Sequence, residues 1–363
     1  MNRKRTRQRM MRIRGTIAGL ALVALTVGGW YGFRAYQNRK LTEAAIEEAR
    51  ARRELQALET PEETVPETPA DLHTLLSADT VRWQGEDYRR NTYTKAILCM
   101  GVDRSGTMTE EQAYGEAGQA DGIFLIARDT ARDSIRILMI PRDTMTEVAR
   151  INPDGTPRDT KVTHLNVAFA YGDGRESSCR NMVQSVSHLL GGLAIDSYLA
   201  VDTSIISILN DAVGGVTVTI PNAGMEKVNP AFRFGEQVTL QGDMAEQFIR
   251  FRDTDQHQSA MFRMNQHREY IIRYFETVQE LSRKDSQIVV ELFELAQDHM
   301  VTDMDKGQYL KIAADAVAGT SLTAESFRTL PGTGVSGEKF DEFYPDQEAI
   351  VPLILELFYR QTS

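Results

Sequence analysis

The chain has 363 residues, of which 42% are hydrophobic and 25% are charged. This composition is typical of a globular protein and excludes a wholly disordered, collagen-like or multispan membrane protein. Two cysteines are too few for a disulfide-stapled small fold or a zinc ribbon. The net charge of −10 disfavours general binding to phosphate backbones, so we expect no nucleic-acid partner.

The N-terminus combines a basic head with an apolar run. Residues 1–14 contain seven arginines and lysines and no acidic residue, and residues 15–33 contain no charged side chain. We predict a cytoplasmic head over 1–14 and one transmembrane helix over 15–33, because a run of this length is close to the ~20 apolar residues that span a bilayer. The rest of the chain would then lie outside the cell. A cleaved signal peptide is the alternative, although the run is long for one and no small-residue cleavage site follows it.

A stalk and a linker are predicted for residues 34–77. Residues 35–59 are rich in Ala, Glu, Arg and Leu, which favours a solvated helix. Residues 59–71 contain three prolines and many acidic residues, so they cannot bury a core. We therefore expect one folded extracytoplasmic domain over residues 78–363.

Strand and helix signals alternate along the predicted domain. Short apolar runs predict strands at Lys95–Val102, Gly122–Ala127, Ser134–Ile140, Tyr198–Val201 and Val216–Ile220. The second and third of these are expected to be antiparallel neighbours. Helical spacing predicts helices at Ser204–Ala212, Gln241–Phe248, Asn265–Leu281, Gln287–His299, Lys306–Ala318 and Gln347–Arg360. This order indicates a single domain of the α/β or α+β class.

Common catalytic motifs are absent from the sequence, including a P-loop, a dinucleotide-binding glycine motif, a zinc-protease motif and a nucleophile elbow. Cys99 lies in an apolar strand, where packing explains it. A disulfide between Cys99 and Cys179 remains an open alternative.

Charged side chains instead gather where the predicted strands end. They are Asp103, Arg104, Asp121, Arg142, Lys161, Arg250, Arg252 and Arg263. Ligands collect at the carboxyl ends of strands in α/β sheets, although each residue taken alone is also explained by an ion pair or a turn. Guanidinium groups suit a diphosphate, and one or two carboxylates suit Mg²⁺. The pattern favours phosphoryl transfer, with Arg250 and Arg252 on one side of an extended segment.

Seven segments then occur in a fixed order over about residues 93–275. They are AILCMGVDRSG, QADGIFLIARD, IRILMIPRDT, KVTHLNVAFAYGD, DSYLAVDTSIISILNDAVGGVTVTIP, LQGDMAEQFIRFRD and FRMNQHREYI. Together they resemble the LytR-CpsA-Psr family of Gram-positive cell-wall enzymes. The resemblance implies a membrane-anchored phosphotransferase that moves a glycopolymer from an undecaprenyl-pyrophosphate carrier to peptidoglycan. It also implies a mixed central β-sheet between helical layers, with an apolar cleft for the polyprenyl tail.

The resemblance further implies roles for individual residues. Asp103 and Asp121 would hold Mg²⁺. The pyrophosphate would be bound by Arg142, Arg250, Arg252 and Arg263, which also serve catalysis, with Arg104 and Lys161 nearby.

This sequence departs from the family pattern at its last motif. Gln266 and His267 stand where the family usually has Arg and Gln, and Ala260 stands where it commonly has an aspartate. Asp255 or His257 could replace that aspartate as proton acceptor, and His267 could keep the hydrogen bond of the missing Gln at the pyrophosphate. The alternative function is a non-catalytic protein that binds a polyprenyl phosphate or regulates the cell envelope. A transcriptional regulator is disfavoured by the acidic outer domain.

Overall fold

The computed structural model describes residues 72–104, 107–152, 156–253, 259–319, 321–337 and 340–362. The predicted head, transmembrane helix and almost all of the predicted stalk and linker lie outside these residues. None of the helices in the described ranges is long and apolar enough to cross a membrane.

The predicted strands and helices are present in this part of the chain, with shifts of a few residues at their ends. The strands are β1 Thr80–Trp83, β2 Glu86–Arg90, β3 Thr94–Val102, β4 Ala120–Asp129, β5 Ser134–Ile140, β6 Met145–Ile151, β7 Pro157–His164, β8 Ser197–Asp202, β9 Val216–Thr219, β10 Gln237–Leu240, β11 Met300–Thr302, β12 Phe327–Thr329, β13 Gly332–Ser336, β14 Asp341–Pro345 and β15 Tyr359–Thr362. The α-helices are α1 Val167–Ala170, α2 Glu176–Leu189, α3 Ile205–Ala212, α4 Met244–Arg250, α5 Ser259–Lys284, α6 Ile288–Ala296, α7 Lys306–Gly319 and α8 Gln347–Phe358.

A mixed six-stranded sheet forms the centre, in the order β11-β8-β3-β4-β5-β12. The β3–β8 and β5–β12 pairs are parallel, and the other pairs are antiparallel, including the predicted β4–β5 pair. Side chains alternate between the two faces of a strand. Leu138 of β5 accordingly packs in the core that contains α2 and α8, whereas Ile137 and Met139 pack against α5. The predicted mixed sheet between helical layers is therefore confirmed.

Smaller sheets flank the central one. The hairpin of β9 and β10 packs with α3, α4 and α5 around a separate apolar cluster. At the other side, β2 pairs with both β1 and β15. The Tyr359 hydroxyl donates a hydrogen bond to the Leu76 carbonyl at 2.8 Å, and Leu76 is 1% exposed. The packed core therefore already includes a residue ahead of position 78.

The extended segment predicted for Arg250 and Arg252 is wrong. Helix α4 continues through Arg250, and Phe251 ends it with extended backbone angles of φ −55° and ψ 129°. Arg250 donates a hydrogen bond to Glu246, one turn earlier, at 2.9 Å. Such i,i+4 pairs stabilise a helix, and the buried Phe248 anchors its inner face. The two arginines therefore do not share one side of a strand.

The two cysteines do not form a disulfide. Cys99 lies on β3 and Cys179 on α2, and both thiols are free. Cys179 is fully buried in the core beneath the central sheet. Both residues are explained by packing, as expected for Cys99.

Candidate functional site

A cavity of about 210 Å³ lies against the central sheet where β3 ends and β4 begins. Its wall is largely apolar and includes Phe124, Ile206, Ile249, Tyr270 and Ile271. The charged residues that line it are Asp103, Asp121, Arg250 and Arg263. The cavity therefore joins an apolar chamber to a charged group.

Two glycines create the space on the sheet side of this cavity. Gly101 of β3 lies directly opposite Gly122 of β4 in the antiparallel ladder, and both line the cavity. A Cβ atom on Gly101 would lie 3.6 Å from Thr203 Cγ2, and one on Gly122 would lie 3.0 Å from Phe124 Cε2. Larger side chains at these positions would occupy the chamber, so its volume depends on their absence.

Asp121 is shared between two arginines. Its Oδ1 accepts a hydrogen bond from Arg142 Nη1, and its Oδ2 accepts one from Arg263 Nη1 at 3.0 Å. Arg142 also donates from Nε to Asp143 Oδ1 at 3.1 Å. The antiparallel pairing of β4 with β5 explains this arrangement, because it places the start of β4 beside the end of β5. The strand-end residues predicted from the sequence thus meet here.

Arg263 is the most buried arginine of this group, with 6% of its surface exposed. Burial lowers the pKa of its guanidinium, and the charge of Asp121 opposes that shift. Its Nη2 donates to the main-chain oxygen of Asp121 at 3.1 Å. Its buried Nε has no hydrogen-bond partner within the part of the chain that the structure describes. A buried donor without a partner is costly, so this Nε is suited to receive an acceptor atom from a ligand.

Asp103 and Arg250 form a second ion pair at the same cavity. Arg250 Nη2 donates a hydrogen bond to Asp103 Oδ1 at 2.5 Å, and Arg250 Nη1 donates one to Glu246 Oε1 at 2.9 Å. Partial burial lowers the pKa of Arg250, but the hydrogen bond to Glu246 and the charge of Asp103 outweigh this and leave that pKa above its usual value. Arg104 lines an open cavity of about 580 Å³ together with Asp103 and Arg250. It donates to the main-chain oxygen of Glu110 at 3.2 Å.

His267 lies at the base of the cavity and is buried. Its Nε2 lies 3.3 Å from the Ile249 carbonyl, to which it donates a hydrogen bond in the tautomer that carries its proton there. Burial lowers the pKa of the imidazole to about 3, and the neighbouring charge of Arg263 acts in the same direction. His267 is therefore neutral at ordinary pH and fixes the position of the residue that precedes Arg250.

Other predicted site residues within the described ranges do not line the first cavity, although Arg252 is near enough for its charge to act on Arg263. Arg252 lies 3.7 Å from Asp341 Oδ2 and does not line the first cavity. Lys161 is exposed on β7, where it pairs in register with Val148. Asp255 and His257 lie outside the described residues, so the predicted proton acceptor has no described position.

The structure adds acidic partners that the sequence reasoning did not assign. Glu246 bonds Arg250, Asp143 bonds Arg142, and Asp341 faces Arg252. Two of these pairs are local in sequence: Glu246 and Arg250 are four residues apart, and Asp143 directly follows Arg142. Asp341 is distant in sequence, and only the fold brings it close.

The comparisons with known proteins agree with this fold and this order of motifs. A family model described as the LytR_cpsA_psr family matches residues 59–352. The chain belongs to this family.

Individual members show how far this likeness extends. A polyisoprenyl-teichoic acid–peptidoglycan teichoic acid transferase, TagU of Bacillus cereus, is 32% identical over 161 residues, which is 44% of this chain and 45% of that relative. TagV of Bacillus subtilis, which carries the same transferase name, is 29% identical over 166 residues, or 38% of its length. The matched region thus spans less than half of these relatives.

Solved structures support the fold. The crystal structure of Bacillus subtilis TagV has a TM-score of 0.54 at 20% identity, and it covers 73% of this chain and 97% of that one. TagT bound to LI-WTA has a TM-score of 0.53 at 14% identity, with 78% of this chain and 97% of that one covered. The mixed sheet with its helical layers is therefore the fold of this family.

Proposed function

We propose that this protein is a membrane-anchored phosphotransferase that moves a glycopolymer from an undecaprenyl-pyrophosphate carrier to peptidoglycan outside the cell. The observation that carries the proposal is the meeting of two ion-paired groups, around Asp121 and around Asp103, at the mouth of one apolar chamber. A polyprenyl diphosphate has the same division into an apolar tail and an anionic head. The named activity of TagU and TagV, members of the same family, agrees with this assignment.

The charge of the cluster fits a diphosphate accompanied by a divalent cation. Arg142, Arg250 and Arg263 carry three positive charges, and the carboxylates bonded to them carry four negative charges, on Asp103, Asp121, Asp143 and Glu246. A diphosphate adds negative charge that these arginines cannot balance alone, so a divalent cation would be needed beside it.

We propose Mg²⁺ as that cation, with Asp103 and Asp121 as its ligands. The two carboxylates line one cavity and offer hard oxygen donors, and Mg²⁺ commonly binds through one or two carboxylates together with phosphate oxygens. Each carboxylate has about four lone-pair sites, so bonds to arginine leave others for a metal. The described residues contain no cluster of three or more candidate metal-binding side chains, so the substrate's phosphate oxygens and water would have to supply the remaining ligands. When bound, Mg²⁺ would neutralise charge on the phosphate oxygens.

The side chains of this protein would bind and orient the diphosphate. Arg263 offers its buried Nε to a phosphate oxygen, and Arg142 and Arg250 would add further donors, each fixed by a carboxylate. Donors that are fixed in advance stabilise the charge that develops on the leaving phosphate, because they need no reorganisation. A sugar hydroxyl of the acceptor attacks the phosphorus next to the glycan, the bond to the carrier's phosphate breaks, and undecaprenyl phosphate leaves. Asp255 or His257 remains the proposed acceptor of the hydroxyl proton.

The test is release of polyprenyl phosphate from a labelled polyprenyl-pyrophosphate glycan, with the full chain in detergent and peptidoglycan as acceptor. We expect release with Mg²⁺, loss of release with a chelator, and transfer of the label to peptidoglycan. Asp103→Asn should abolish the Mg²⁺-dependent release of polyprenyl phosphate. It should leave the free energy of unfolding unchanged, because Asp103 lies at the surface. If the folded protein binds the lipid substrate but leaves it intact, the proposed transferase activity is contradicted. That result would support the alternative, a protein that binds a polyprenyl phosphate without catalysis.

A further inference from the structure

A second cavity lies beside the first and has a different character. Its volume is about 340 Å³, and it is lined by residues of the loop before β10, of α5 and of the segment that follows α4. The end of α4 and the segment after it separate the two cavities: Ile249 and Arg250 of α4 line the first, while Phe251 and Arg252 line the second. Helix α5 also separates them, because Arg263 lines the first cavity and Gln266 the second. The second cavity therefore lies next to the reaction centre.

Two phenyl rings at this cavity are exposed to solvent. Phe234 is 65% exposed and Phe262 is 46% exposed, although both line a concave site. Exposed aromatic side chains grouped at a concave surface indicate a binding site. A ligand that covers them releases water from apolar surface, which lowers the free energy of the complex.

The polar lining of the second cavity is rich in amides and balanced in charge. Asn222 donates to the Phe262 carbonyl at 2.8 Å, and its Oδ1 lies 3.5 Å from Asn265 Nδ2. The charged lining residues are one arginine, Arg252, and one aspartate, Asp253. These two charges cancel, and most of the polar lining is uncharged, so this cavity offers an anionic head group no excess of cations.

We propose that the second cavity binds a pyranose ring of the acceptor glycan chain. A sugar ring presents an apolar C–H face, which suits Phe234 and Phe262, and hydroxyl groups, which suit amides that both donate and accept. We assign the acceptor to this cavity because the diphosphate and the tail of the donor match the first cavity. A hydroxyl group of the acceptor must also come within reach of the donor's phosphorus, which requires a site beside the first cavity. The inference deepens the proposed function by assigning a site to its acceptor.

Binding of chitotetraose, a neutral β-1,4-linked N-acetylglucosamine oligosaccharide, tests the site without any transfer reaction. The titration uses the full chain in detergent micelles, as wild type, Phe234→Ala and Tyr93→Ala. We expect Phe234→Ala to weaken binding about tenfold, in the range of one lost aromatic contact. Tyr93 is 55% exposed and lies before β3, outside the residues that line either cavity, so Tyr93→Ala should bind as wild type does. Both truncated rings are solvent-exposed, so both variants should fold.

Inorganic pyrophosphate provides the competing arm of the same titration. It should leave chitotetraose binding unchanged, because it is expected at the first cavity. Absence of chitotetraose binding in wild type, equal affinity in Phe234→Ala, or displacement by pyrophosphate would each overturn the saccharide site. The lipid-release assay reports separately on the proposed function: Phe234→Ala should raise KM for peptidoglycan about tenfold with kcat unchanged. Failure of wild type to release polyprenyl phosphate would remove the transferase while the titration still decides whether a saccharide binds.

Discussion

At the scale of single residues, Asp121 divides its two carboxylate oxygens between Arg142 and Arg263. The two arginines differ in exposure: 18% of the Arg142 side chain is accessible, against 7% for Arg263. Loss of a partner from a buried ion pair costs about 3–5 kcal/mol, whereas a partly solvated group can find water instead. Arg263 therefore contributes to folding as well as to the site, and its charge must be kept in any functional test.

Arg263→Lys keeps the charge but removes the two-point contact with Asp121. Since a charge-assisted hydrogen bond contributes about 1.5–3 kcal/mol, we expect polyprenyl phosphate release to fall roughly tenfold to a hundredfold. Release at a substrate concentration well below KM and urea unfolding are measured together, because a loss of substrate binding alone leaves the rate at saturation unchanged. Arg273→Lys is the matched control, because Arg273 lies on the same helix but at the surface, paired with Glu269 and Glu276. An undiminished rate in Arg263→Lys would contradict a phosphate-binding role.

His267 provides a pH prediction. Its pKa is about 3 in the folded protein, because burial disfavours the charged imidazole, against ~6.5 in an unfolded chain. Between these values the unfolded state binds more protons. Stability is therefore complete above about pH 6.5 and falls as pH decreases toward 3, by up to about 1.4 kcal/mol per pH unit.

His267→Gln removes this titration and keeps a donor for the Ile249 carbonyl. Urea unfolding at about pH 7 and about pH 5 should show a smaller loss of stability in the variant than in wild type. If both proteins lose stability equally, another group is responsible for the acid sensitivity.

The sequence predicted much of the site, and the misses have a physical cause. Asp103 and Arg142 follow buried strands and Asp121 lies at the start of one, so strand pairing brings them to the same edge of the sheet. The relative orientation of Arg250 and Arg252 was predicted wrongly, because residues 250–252 were assigned to an extended segment with alternating side chains. In the structure α4 includes Arg250, which is bonded to Glu246 one turn earlier. Asp341, the neighbour of Arg252, lies 89 positions away (341 − 252), so no local signal could indicate their contact.

At the scale of elements, strands buried on both faces were predicted best. The apolar runs of β3, β4 and β5 would expose a large hydrophobic surface in any solvent-exposed segment, so they indicate buried strands. The hairpin of β6 and β7 was missed, because most of its residues are polar and β7 is largely exposed. Among the side chains that the structure describes in this hairpin, only Thr146 and Val148 of β6 mark a buried face. The sheet of β1, β2 and β15 was also missed, since it joins segments from opposite ends of the folded part. Long-range pairing of this kind has no signature within a short window.

The opposed glycines of β3 and β4 yield a prediction for the chamber. Gly101→Leu should place its side chain in the cavity and prevent binding of the polyprenyl tail, while inorganic pyrophosphate still binds. Gly101→Ala is the control, because its Cβ would meet Thr203 Cγ2 at an ordinary distance of 3.6 Å. Lipid binding by both variants is measured together with thermal stability. Wild-type lipid affinity in a folded Gly101→Leu protein would show that the tail lies elsewhere.

At the scale of the whole molecule, the fold and the predicted anchor make separable contributions. The described apolar core starts at Leu76 and closes at Tyr359, so residues 72–363 contain every residue of that core. A protein of residues 72–363 should therefore unfold in urea with a midpoint close to that of the full chain. The anchor predicted at residues 15–33 should affect encounter with a membrane-embedded substrate instead.

Release of polyprenyl phosphate by the full chain and by residues 72–363 separates these effects. With the lipid substrate dissolved in detergent, we expect equal rates, because the site is the same. With substrate and full chain in the same vesicles, the anchored protein should be at least about tenfold faster, since tethering raises the effective concentration of the site. Equal rates on vesicles, or full chain recovered without detergent, would contradict the anchor. A lower unfolding midpoint for residues 72–363 would instead show that the N-terminal part supports the fold.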